Sequence, residues 1–236
     1  IPGSAIPYVP ADTNWNIPYK DEITIAQLLR HSAGVYDVDN DPVPGCGGEP
    51  YVTYRLDLEP EHQFTAAELV GQVALHRLEF FAPNRNYHYS DTGYTILGEI
   101  VARVYSRFCG APKTYSDYLH EQVVGVHTPV PLAAIRFPCL AADTASPAPF
   151  VPGVQYLPGG ETLITSNANI SANVAEGNGY GTLAALNRYI RTMMRGENIL
   201  DAQMVRLMQT NTAPHNANYG CGCSFMLDIG YGHTGA

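Results

Sequence analysis

Helical periodicity runs through this sequence almost to its end. Strand character is confined to the final residues, so helices must carry most of the core. Ile25, Leu28 and Leu29 share one face of a helix predicted over Ile23–His31, with Thr24 as its N-cap and Gly34 as the terminating glycine. A second helix is expected from Thr65 to about Leu78, where Thr65 and Glu68 have the spacing of a capping box. A third starts near Asp91 and runs to about Arg107, with Ile96, Leu97, Ile100, Val101 and Val104 on its apolar face. Thr114–Val124 reads as a fourth, capped by Thr114 or Ser116. Thr182–Arg195 and Asp201–Gln209 are two more, separated by Gly196-Glu197-Asn198. Phe225–Ile229 reads as a strand, followed by a turn and a second strand near Tyr231. Three segments lack a period: the Pro-rich and polar lead-in 1–22, the loop or insertion 36–63, and the Pro-rich crossing 127–160.

Composition removes several classes of function. A formal charge of −9, with 13 basic residues scattered along the chain, argues against nucleic acid, which is bound by clustered Lys and Arg. No apolar run approaches the roughly 18 residues of a membrane span. There is no initiator Met, and Ile1-Pro2-Gly3-Ser4 is not a signal peptide, so the start reads as a processed or truncated end. The five cysteines (Cys46, Cys109, Cys139, Cys221 and Cys223) are odd in number and too sparse for a disulfide framework. Cys221-Gly222-Cys223 is one residue short of Cys-x-x-Cys, and no second pair follows. Buried thiols, or a bridge to Cys46 or Cys139, are favoured over a metal there.

Two short passages carry the chemistry. Tyr89-Ser90-Asp91 opens the third helix, and Tyr231-Gly232-His233-Thr234-Gly235-Ala236 closes the chain. Each residue has an ordinary reading when taken alone. Tyr89 is one of 16 tyrosines, Asp91 is a good N-cap, His233 could be a satisfied histidine and Thr234-Gly235 a turn. Their order is more specific than their identity. Ile25-Ala26-Gln27-Leu28-Leu29-Arg30-His31-Ser32-Ala33-Gly34 resembles a leucine-rich helix ending in His-Thr-Ser-Gly. Phe81-Ala82-Pro83, Tyr87 to Tyr94 and Leu97-Gly98-Glu99-Ile100-Val101 resemble a Pro-Gly, Tyr-Ser-Asn passage into a helix. Gly179 to Arg188 resembles a glycine-bounded late helix, and Gly232-His233-Thr234-Gly235 the His-x-Gly form of a Lys-Thr-Gly strand. In this order the five passages resemble the penicillin-binding-protein and serine β-lactamase superfamily, including its D-alanyl-D-alanine carboxypeptidase, D-aminopeptidase and esterase branches.

The resemblance implies an α+β, β-lactamase/transpeptidase-like fold. Residues 1–236 would be an incomplete catalytic domain, with a helical lobe over about 23–210 and the start of an otherwise missing antiparallel sheet over about 224–236. It also implies cleavage of amides or esters through an acyl-enzyme on the serine of Ser-x-x-Lys, with no metal or organic cofactor. That motif is absent: Lys20 and Lys113 are the only lysines, and the residues three places earlier are Ile17 and Gly110. The expected roles are therefore partial. Tyr89 and His233 would be catalytic, while Asp91, Thr234, Gly235 and Ala236 would bind substrate, Ala236 near an oxyanion-hole amide. A free phenol is a weak base, and Tyr89 could relay a proton only beside a cation. Asp91 in place of Asn can only accept hydrogen bonds when ionised, which with His233 points toward peptidase or esterase branches. A small peptide, amide or ester substrate follows. So does a companion polypeptide, or further residues, supplying Ser-x-x-Lys and the remaining strands; alone the chain would be inactive, with uncovered strand edges. The alternative is a catalytically inactive binding or regulatory protein of the same fold. The resemblance further implies a periplasmic or secreted location, with segments 36–63 and 127–160 framing the pocket.

Overall fold

The computed structural model describes residues 8–143, 151, 153–156, 160, 162–164 and 169–233. Thr234, Gly235 and Ala236, expected to bind substrate, lie outside the described residues. Seven α-helices are described: α1 Ile25–Leu29, α2 Tyr51–Leu58, α3 Ala66–His76, α4 Asp91–Cys109, α5 Tyr115–Tyr118, α6 Leu183–Met194 and α7 Ala202–Thr210. Helix α5 continues into a π-helical turn at Leu119–Val123. Strands β1 Val154–Tyr156 and β2 Thr162–Ile164 form one antiparallel pair, with Gln155 opposite Leu163. Strands β3 Ser224–Met226 and β4 Gly230–Gly232 form another, with Phe225 opposite Tyr231.

Helix α4 is the centre of the lobe and packs against α1, α3 and α5. Its Ile96 and Ile100 meet Leu28 of α1 and Leu69, Val70 and Val73 of α3 in one buried cluster, which also takes in Trp15, Val38 and Phe64. Burying side chains of this size stabilises by roughly 1.5–3 kcal/mol each, so this cluster holds the lobe together. A second cluster joins Leu119, Val123, Val124, Leu132 and Ile135 to Ala185 of α6. Val104, expected on the apolar face of α4, is instead exposed, and Tyr105 takes the buried position beside it.

The helix ends follow local chemistry. Ser90 caps α4, its Oγ accepting from the Gly93 N–H at 3.1 Å, so Asp91 is the first helical residue and not the cap. Thr24 and Gln27 form a reciprocal capping box on α1, and Thr114 caps α5 with Asp117. Only half of the box expected at α3 is made. Thr65 accepts from the Glu68 N–H, but the Glu68 carboxylate accepts from Tyr51 Oη at 2.8 Å and pairs with His62 at 2.7 Å instead. That diversion ties α2 to α3.

Three expectations are corrected. Segment 36–63 contains α2, which has no buried residue and no side-chain cap, so it shows neither an apolar stripe nor a start signal. Strand is not confined to the chain's end, because β1 and β2 pair within and just beyond the Pro-rich crossing; strands of three residues are too short to show a period. Gly34 does not end α1, which is capped at Arg30 and followed by His31 at φ +52°. Gly34, at φ +74°, instead lets the chain pass Phe81, and a Cβ there would sit 1.8 Å from the Phe81 carbonyl oxygen. The described cysteines are all free thiols, with Cys46, Cys221 and Cys223 buried, so neither proposed bridge is formed.

Replacing Gly34 by Ala combines a strained φ with a backbone clash, and is expected to destabilise the fold by roughly 2–4 kcal/mol. Urea unfolding of Gly34→Ala beside Gly110→Ala, whose added Cβ meets nothing within 4 Å, separates the clash from the φ cost alone. Equal losses in the two variants would refute the close approach.

Candidate active site

The first turn of α4 brings the site together. Its N–H groups point out of the helix and, being buried, must find acceptors. The Ser90 N–H donates to His31 Nδ1 at 3.1 Å, and the Asp91 N–H to Asp37 Oδ2 at 3.1 Å. Asn40 Nδ2 bridges the Asp37 and Asp91 carboxylates, at 2.9 Å to each. Thr92 Oγ1 accepts from the Val38 N–H at 3.0 Å, which fastens the same loop a second time. The chain after α1 is thereby locked onto the start of α4, with Tyr89 and Asp91 at the junction.

His31 lies inside a ring of tyrosines. Its centroid is 4.3 Å from Tyr89, 4.9 Å from Tyr94 and 4.9 Å from Tyr219. Burial, then the neighbouring His233 and His88, lower its pKa to about 3. It is therefore neutral at pH 7. Because Nδ1 accepts from Ser90, the ring proton belongs on Nε2, which donates to Tyr219 Oη at 2.9 Å. Tyr219 Oη in turn lies 3.4 Å from His233 Nε2. The rings of Tyr89 and His233 are 6.1 Å apart, so the two residues expected to be catalytic share one aromatic cluster.

The electrostatics are one-sided. Burial raises the Tyr89 phenol far above its ordinary pKa, and the Asp91 carboxylate raises it further. Tyr89 thus holds its proton as the chain stands, and can act as a base only if a cation comes to its side. Burial raises Asp91 as well, with the Asp37 charge adding to it; Tyr89, Asn40 and His233 pull it back down. Asp39 is pushed up to about 8 by burial and by Asp37. Ser90 and Ser32, the serines nearest the centre, are buried, with their hydroxyls engaged by the Gly93 N–H and the Gln27 carbonyl. Neither is a free nucleophile.

Sequence reasoning did not assign roles to His31, Asp37, Asp39, Asn40, Glu176 or Tyr219. His31 was visible only as part of a fold motif, and the acidic loop only as polar punctuation. Segment 36–63 contributes Asp37, Asp39 and Asn40 to the site. Segment 127–160 contributes Cys139 and Leu140 to a separate cavity of about 450 Å³, lined by Leu69, Thr95, Gly98 and Tyr115, which includes none of Tyr89, Asp91 and His233.

The beta-lactamase family profile matches residues 7–236. This chain belongs to that family. Its fold is the β-lactamase/transpeptidase-like one, as three solved structures also show. A D-stereospecific amidohydrolase from Streptomyces sp. superposes with a TM-score of 0.76 at 22% identity, over 99% of this chain and 66% of that one. The D-amino acid amidase of Ochrobactrum anthropi SV3, complexed with D-phenylalanine, gives 0.62 at 20% identity, over 93% and 60%. The octameric penicillin-binding protein homologue of Pyrococcus abyssi gives 0.65 at 18% identity, over 99% and 50%. This chain spans between half and two-thirds of the length of these structures.

The buried neutral His31 sets a pH dependence. The unfolded chain takes up a proton on this histidine near pH 6.5, whereas the folded chain does so only near pH 3. Its contribution to stability is therefore complete above pH 6.5 and is lost as the pH falls through that window. The stability gap between the native protein and His31→Gln should shrink on acidification from pH 6.5 to 4, by up to ~1.4 kcal/mol per pH unit. Urea unfolding at several pH values measures it, and a constant gap would mean that His31 is not held neutral.

Proposed function

We propose that this chain supplies the tyrosine and histidine half of an acyl-transfer centre that hydrolyses amides or esters. The convergence of Tyr89, Asp91 and His233 at the start of α4, backed by Tyr219 and His31, is the observation that carries this reading. The nucleophile is the serine of a Ser-x-x-Lys segment outside residues 1–236, on a companion polypeptide or on further residues of the same protein. Its lysine would put an ammonium beside Tyr89 and bring the phenol's raised pKa down, so that the Tyr89–lysine pair can take the serine proton. The serine oxygen then attacks the substrate carbonyl carbon, and the bond to the leaving nitrogen or oxygen breaks. The pair returns the proton to that leaving group, and water releases the acyl group by the reverse path.

Asp91 and Thr234 would contact substrate, with Gly235 and Ala236 lending backbone beside the oxyanion. The relatives named above as an amidohydrolase and an amidase support amide substrates, and a similar structure described as a hydrolase with promiscuous acyltransferase activity supports ester-like acyl donors. Carboxypeptidase, aminopeptidase and esterase chemistry all fit this centre. Exposed Phe225, Leu227 and Ile229 around the β3–β4 turn fit a surface that another part of the fold covers. The reading includes a periplasmic or secreted location; none of the described helices is long and apolar enough to cross a membrane.

An intact-mass spectrum before and after treatment with a fluorophosphonate tests the proposal. The probe should add to a serine outside residues 1–236, and Tyr89→Phe should slow labelling by about 10²–10⁴-fold. An adduct on a serine of this chain would refute the division of labour. A complete assembly that takes up no probe would establish the inactive binding protein instead.

A further inference from the structure

The hydrogen bonds around His31 run in one direction, and a backbone group sets it. The Ser90 N–H at the start of α4 can only donate, so His31 Nδ1, 3.1 Å away, must accept. An imidazole that accepts at one nitrogen carries its proton on the other, so His31 Nε2 donates to Tyr219 Oη at 2.9 Å. That bond occupies a lone pair of the Tyr219 oxygen and leaves the phenol's own proton to be given elsewhere. Burial keeps this proton on the oxygen.

Tyr94 and His233 both lie beside it. Tyr94 gives its own proton to the Leu29 carbonyl at 2.9 Å, so its oxygen is one acceptor. His233 Nε2, 3.4 Å from Tyr219 Oη, is the other. The imidazole nitrogen is the stronger of the two, because it binds a proton near pH 6.5, where a neutral phenol oxygen binds none. The backbone holds the donor still. Tyr219 is only 4% exposed, and its carbonyl accepts from the Ala213 N–H at 2.8 Å. The Gly222 N–H just beyond donates to the Leu29 carbonyl at 3.1 Å. A Cβ on the intervening Gly220 would sit 2.2 Å from the Met208 carbonyl oxygen, so segment 219–222 lies close against α1 and α7.

We propose that Tyr219 is a positioning residue for His233: its hydroxyl donates to His233 Nε2, which fixes the direction of the neutral ring and places the ring proton on Nδ1. His31 acts one step further back. By donating to the Tyr219 oxygen it turns the phenol proton toward His233, so the polarity of the whole chain starts from a backbone N–H that cannot reverse. The use made of His233 rests on the acyl-transfer reading, on which the centre meets a histidine with one defined donor nitrogen instead of a mixture of tautomers. That matters for rate, because a catalytic histidine held in the wrong tautomer can lose about 10⁴-fold.

Nitrogen-15 NMR of the histidine-labelled protein in mildly alkaline buffer reads the tautomer, because protonated and unprotonated ring nitrogens resonate in separate ranges. His233→Gln assigns the signals by their loss. In the native protein His233 should show Nε2 unprotonated and Nδ1 protonated. Tyr219→Phe removes only the hydroxyl and should shift Nε2 toward the protonated range and Nδ1 away from it. His31→Leu frees the Tyr219 oxygen to accept and should also release the ring, whereas His31→Gln, whose amide can make both bonds, should hold the single tautomer. A native His233 protonated at Nε2 would overturn the proposal. So would an unchanged ring in folded Tyr219→Phe, which would assign the phenol proton to Tyr94. Circular dichroism identifies a Tyr219→Phe variant that fails to fold, and the contrast between the two His31 variants then decides. The measurement needs no turnover, so a protein that takes up no fluorophosphonate yet shows this tautomer overturns the acyl-transfer reading and leaves the role of Tyr219 intact.

Discussion

The buried N–H groups at the start of α4 are the constraint on which the rest of the structure depends. Ser90, Asp91 and Gly93 need acceptors there, and they find them in His31, Asp37 and the Ser90 hydroxyl. An orphaned buried donor costs about 1–3 kcal/mol, so the chain after α1 cannot slide along α4 without losing several such bonds together. Tyr89, between the Ser90 anchor and the His88 N–H that donates to the His31 carbonyl at 3.1 Å, therefore has little freedom. The same bonds that end one helix and begin another also fix the aromatic cluster and the carboxylates around it.

Charge follows from that arrangement. His31 is neutral because it is buried beside other histidines, and the phenols around it keep their protons because burial and carboxylates disfavour phenolate. The result is a site with hydrogen-bond donors and anions but little positive charge. On the proposed reading, such a site orients a proton and needs an added cation before it can take one from a serine.

The helical lobe was legible because its signals are local. Thr24, Ser90, Thr114, Thr182 and Asp201 are capping residues, and α3, α4, α6 and α7 show a 3.6-residue period that burial enforces. Elements without those signals escaped notice. Helix α2 buries nothing fully and lacks a cap, β1 and β2 are three residues long, and Glu68 gave up its local capping bond for Tyr51 and His62. For Glu68 contacts outside its helix outweighed the local preference, whereas α2 and the short strands carry no local signal to outweigh.

By itself, the sequence determined most of the helical segments but not α2, where most of them start, and that Tyr89, Asp91 and His233 occur in the order of the beta-lactamase family. Those properties depend on neighbours within a few positions or on the order of motifs. Only the tertiary structure decided that His31 lies neutral among tyrosines and hydrogen-bonds Tyr219. The same holds for Asp37 binding the first turn of α4 and for Glu176 facing Asp39 from more than a hundred residues away. Burial and charge coupling act through space, and no local pattern of residues encodes how many buried carboxylates will meet at one point.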